Sequence, residues 1–79
     1  MKKQELIKFA IIGIDYEIDK REKTISNGHK YLNQIGNGEK PKTPLSSEEI
    51  KKVIRTNQNE IEDLSRKKSD LKWELSNND

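Results

Sequence analysis

Isoleucine and leucine recur along this chain at alternating steps of four and three. In the first half Ile7, Ile11, Ile14, Ile18, Arg21, Ile25, Gly28, Leu32 and Ile35 fall in one register. In the second half Ile50, Ile54, Asn57, Ile61, Leu64, Lys68, Leu71 and Leu75 repeat it. An apolar residue every 3.5 positions marks the seam of a coiled coil. Four seam positions are not apolar: Arg21 and Gly28 in the first run, Asn57 and Lys68 in the second. Neither run contains a proline, so each predicts one long helix, with Gly28 costing the first about 1 kcal/mol relative to alanine.

The segment between them reads GNGEKPKTPLSS. Gly36 follows the last seam residue and suits the left-handed position that ends helices. Pro41 and Pro44 stop the helix from continuing. Ser46 with Glu49 three residues later forms a capping box, and Leu45 can pack on Ile50 as a hydrophobic staple. The pattern therefore predicts one helical-hairpin domain over residues 1–79: helix 1 over about 3–35, a loop over about 36–45, helix 2 over about 47–76. Each helix would be roughly 45–50 Å long. Similar lengths and a loop of about ten residues favour antiparallel packing. Folding back pairs residues whose numbers total roughly 85. Ile35 would meet Ile50, Ile25 would meet Ile61, and Ile14 would meet Leu71. Gly28 would lie opposite Asn57, with His29 nearby. Lys68 would reach Glu17 or Glu22.

The stretch LIKFAIIGIDYEI, residues 6–18, departs from this scheme. Ile7, Ile11, Ile14 and Ile18 form the seam, yet Phe9, Ile12 and Tyr16 form a second apolar stripe roughly opposite. Leu6 and Gly13 fall on one flank. Trp73 likewise stands opposite the seam of helix 2, and the pairing above brings it level with Ile12 and Gly13. Three of the four aromatic residues belong to this outward-facing set; Tyr31 lies nearer the loop. A two-helix hairpin has no third layer to cover such side chains. Exposed aromatic patches mark interfaces, and small helical units often complete a core by associating. The fold expected is an all-α antiparallel two-helix coiled-coil hairpin that dimerises into a four-helix bundle. Phe9, Ile12, Tyr16 and Trp73 are its expected protein interface.

Composition narrows the function classes. Charged residues make up 38% of the chain, and its eighteen Leu, Ile, Val and Phe among 79 residues are about 23%, just above the ~20% level typical of disordered chains. The net charge of +2 does not hold the chain open. Acid-before-base pairs at i,i+4 (Glu17–Arg21, Asp19–Lys23, Glu48–Lys52, Glu62–Arg66, Asp63–Lys67) describe solvated helix faces. Cysteine is absent, which excludes disulfides and thiolate metal sites and fits a reducing, cytoplasmic setting. Lys8 and Asp15 interrupt the one apolar run well short of a membrane span. The same Lys8, and the lack of a small-residue cleavage site, argue against reading Met1-Lys2-Lys3 as the start of a leader. Heavy use of Lys, Ile, Asn and Glu, with a single Ala, points to an AT-rich genome of the kind low-GC bacteria, their phages and mobile elements carry.

No catalytic constellation assembles. His29 has no metal-ligating companion, no nucleophile elbow is present, and Gly36-Asn37-Gly38 lacks the Lys-Ser/Thr of a phosphate loop. Asp15 and Asp19 share a helix face without a cleft. The expectation is a non-enzymatic chain with no cofactor and no metal: a self-associating adaptor, inhibitor or regulatory subunit of another protein. The alternative is a small nucleic-acid-binding protein using Lys40, Lys42, Lys51, Lys52 and Arg55 near the loop. Glu39, Glu48 and Glu49 weaken that basic excess.

Overall fold

The computed structural model describes residues 2–77. Two helices, α1 (Lys3–Gly36) and α2 (Ser47–Asn77), pack as an antiparallel hairpin. The rod measures 58 × 18 × 16 Å. Among the described residues no helix is long and apolar enough to cross a membrane.

The start of α2 follows from its capping box. Glu49 N–H donates to Ser46 Oγ at 3.2 Å, and Ser46 N–H donates to Glu49 Oε1 at 3.2 Å. Two otherwise unpaired donors are thereby satisfied together. Glu48 and Glu49 in the first turn also suit the positive end of the helix dipole. The end of α1 differs from the expectation. Gly36 stays helical, and the left-handed residue is Gly38, at φ 79°. Gly38 N–H donates to Ile35 carbonyl oxygen at 3.0 Å and Glu39 N–H to that of Gln34 at 2.8 Å. That double bond pattern is a Schellman cap with Asn37 as the capping residue. Either glycine could have taken the left-handed turn; the second does.

The seam is thin. Ile7, Ile50 and Ile54 are its buried apolar side chains, Ile50 the most completely, and Gly28 is buried with them. Ile11, Ile14, Ile18, Ile25 and Leu32 of α1, with Ile61, Leu64, Leu71 and Leu75 of α2, are half-buried, as expected where two helices have no third layer.

The register corrects the expected pairing. Arg21–Asn57, Asp15–Lys68 and Lys3–Glu74 are polar pairs that join the two helices. Their numbers total 78, 83 and 77, near 80 rather than 85. Gly28 consequently faces Ile54, not Asn57: a methyl group built on Gly28 would stand 2.8 Å from Ile54 Cγ1 and 2.9 Å from Cδ1. It would also stand 3.5 Å from Ile50 Cγ2, so Ile50 packs over Gly28, two turns short of Ile35, which is itself partly exposed. His29 is exposed and Asn57 takes Arg21 instead. Lys68 reaches Asp15, not Glu17 or Glu22. The cause is steric and polar at once. The only gap on the α1 seam accepts the isoleucine that fits it, and that slide brings two polar seam residues, Arg21 and Asn57, together.

Surface pairing is sparser than the spacing suggests. Lys23–Asp19 forms at i,i+4 with 3.7 Å separation, whereas Lys51 takes Glu48 and Arg66 takes Asp63 at i,i+3. Such exposed pairs contribute ~0–1 kcal/mol each.

Candidate interaction surfaces

Phe9, Ile12, Tyr16 and Trp73 each stand two residues from a seam position, and two residues turn a helix by about 200°. All four side chains face away from the partner helix. Their exposures are 58%, 62%, 68% and 69%, and Leu6 on the flank is 55% exposed. These are the largest apolar exposures among the described residues, and they fall at the open end of the hairpin.

They do not form one surface. The outer face of α1 and the outer face of α2 point in opposite directions. Trp73 also lies beside Glu74, which bridges to Lys3 at 3.0 Å. It therefore comes level with the first two turns of α1, not with Ile12 and Gly13. The open end carries a strip of Leu6, Phe9, Ile12 and Tyr16 on one side and a lone indole on the other.

The strip has charged ends. Glu5 and Lys20 also lie two residues from seam positions, on the same outer face as Phe9, Ile12 and Tyr16. Both are exposed, and neither joins an ion pair among the described residues. Gly13 has nothing within 4 Å of where its methyl group would be. Sequence reasoning overlooked Glu5 and Lys20, although their spacing from Ile7 and Ile18 carries the signal.

The basic candidates divide between two sides. Lys51 and Arg55 follow a seam position by one residue. Val53, Thr24, Asn27 and Tyr31 precede one, and so lie on the opposite flank. Those four line an apolar groove of about 210 Å³ with Gly28, Leu45 and Ile50. Leu45 and Ile50, the expected staple pair, thus border the same groove. Lys40 and Lys42 border an adjoining polar hollow with Lys30, Tyr31 and Gln34. Lys52 points outward. Lys40, Lys42, Lys52 and Arg55 join no ion pair among the described residues, while Lys51 is held by Glu48 at 3.7 Å. The five cations do not converge on one face.

Comparison with protein-family models, with curated proteins and with solved structures returns no match.

Proposed function

We propose that this chain is a non-enzymatic protein–protein interaction module: a hairpin that self-associates through the outer face of α1 and presents Trp73 on its opposite side to a second protein. An adaptor, inhibitor or regulatory subunit works in this way. The observation that carries the reading is the strip of Leu6, Phe9, Ile12 and Tyr16, each more than half exposed, along one helix face.

Full burial of such a side chain is worth about 1.5–3 kcal/mol, and somewhat more than half of that remains to be gained here. Two copies meeting strip to strip bury eight of them, against an association cost of ~4–15 kcal/mol. The balance favours a weak, concentration-dependent dimer. The strip lies opposite the seam, so the two α1 helices meet in the middle with an α2 on each outer side. This side-by-side order replaces a closed four-helix bundle, whose core would draw on residues nearer the seam. Trp73 stays outside the contact and is free for a different protein, since aromatic side chains of this kind are frequent anchors.

The test is light scattering paired with quenching of Trp73 fluorescence by acrylamide. The reading expects mass to rise with concentration while the indole stays accessible. A mass of one chain at every concentration contradicts self-association. A dimer whose Trp73 is shielded contradicts the division of labour between the two faces.

The second reading, nucleic-acid binding, rests on the unpaired Lys40, Lys42, Lys52 and Arg55. Phosphate-driven affinity would fall steeply between 50 and 200 mM salt, and charge reversal at Lys51 and Lys52 would weaken it, while Trp73→Ala would leave it intact.

A further inference from the structure

The outer face of α1 is self-complementary when reversed, and we propose that a second copy of this chain covers it with its own α1 running antiparallel, the two-fold axis passing between Ile12 and Gly13. This rests on the self-association argued above and adds its orientation. Read along the middle of that face, with Leu6 on its flank, the order is Glu5, Phe9, Ile12, Tyr16, Lys20. Laid against its own reverse, Glu5 meets Lys20 of the second copy, Phe9 meets Tyr16, and Ile12 meets the symmetry-related Ile12. An isologous contact makes each of these twice. Phe9–Tyr16 contacts add the favourable geometry of aromatic pairs. A parallel arrangement would instead stack Glu5 on Glu5 and Lys20 on Lys20, like charges at both ends of the strip.

Gly13 supplies an independent argument. A glycine inside a helix lowers its stability and is kept where another backbone or side chain comes close. Gly28 has such a neighbour in Ile54; Gly13 has none within 4 Å in the single hairpin. The antiparallel contact supplies one, because like flanks meet across the two-fold axis and Gly13 stands against Gly13 of the second copy, where two missing side chains let the backbones approach. The flanks agree with this orientation. Lys8 comes near Asp19 of the second copy on one side. The like-charge approach, Lys2 toward Lys23 of the second copy, is relieved because Lys23 already pairs with Asp19 at 3.7 Å.

The chain has no cysteine, so single introduced cysteines report the orientation directly. In the antiparallel dimer Ile12→Cys cross-links to itself on oxidation. Glu5→Cys does not, because the two copies of that position stand about 22 Å apart along the axis, but a mixture of Glu5→Cys with Lys20→Cys does cross-link. Charge reversal gives the second readout: Glu5→Lys and Lys20→Glu each weaken the dimer about fivefold or more, and the double swap restores it. Efficient self-cross-linking of Glu5→Cys, or a double swap no better than either single change, overturns the antiparallel arrangement while leaving self-association intact. Loss of every cross-link together with a single-chain mass at all concentrations overturns both.

Discussion

Arg21 Nη1 donates to Asn57 Oδ1 at 3.1 Å, joining the two helices through the polar residues that interrupt their seams. Asn57 Nδ2 donates in turn to Val53 carbonyl oxygen at 2.8 Å, while Arg21 Nε is buried without an acceptor. The pair is half-buried, so its main effect is to exclude registers in which either group faces isoleucine. Asn57→Leu alone should lower stability by about 1–2 kcal/mol, because it strands the guanidinium against an apolar side chain. Adding Arg21→Met should recover most of that loss. A thermal double-mutant cycle followed by circular dichroism measures the coupling. A doubly substituted hairpin no more stable than Asn57→Leu would show that the two residues do not act as a pair.

Two helical glycines should respond in opposite directions to the same substitution. At Gly28 a methyl group would stand 2.8–2.9 Å from Ile54, and Ile54 is stiff at χ1 within a helix. The overpacking cost of ~1–3 kcal/mol outweighs the ~1 kcal/mol gained in helix propensity. Gly28→Ala should therefore destabilise the hairpin, and Gly28→Leu should do so severely. Gly13→Ala meets open space and should stabilise the monomer by about 0.5–1 kcal/mol while weakening association. Urea titration at low protein concentration separates these effects, and equal midpoint shifts at the two positions would contradict the packing described.

The two helix ends at the loop give a third comparison. Ser46→Ala should cost about 1 kcal/mol, by removing the acceptor for Glu49 N–H. Gly38→Ala should cost about 1–2 kcal/mol, because the residue sits at φ 79°. Gly36→Ala should stabilise α1, since Gly36 is helical with nothing near its missing methyl group. Thermal denaturation of the three variants decides whether Gly38 or Gly36 ends the helix.

Local features of the fold were legible in the sequence. The four-three spacing marks both helices, and Ser46 with Glu49 marks where α2 begins. Register was not legible, because a ten-residue loop leaves the helices free to slide by a turn. Knowing that Gly28 takes Ile54 requires matching a gap with a side chain across the seam, and spacing within either helix does not encode that match. The outward placement of Phe9, Ile12, Tyr16 and Trp73 was readable from periodicity alone. That α1 and α2 turn their outer faces in opposite directions was equally implied, but treating the four residues as one patch concealed it. The strip's palindromic order became visible once Trp73 was set apart and Glu5 and Lys20 were seen to bound it.

Sedimentation equilibrium over concentrations from micromolar to near-millimolar tests the central claim most directly. The wild-type chain should move from 9.2 kDa toward twice that mass as concentration rises. Phe9→Ser with Tyr16→Ser should remain at the single-chain mass with its helix content unchanged. A wild-type chain that stays at one-chain mass across the whole range, with Phe9, Ile12 and Tyr16 in water, would contradict the account.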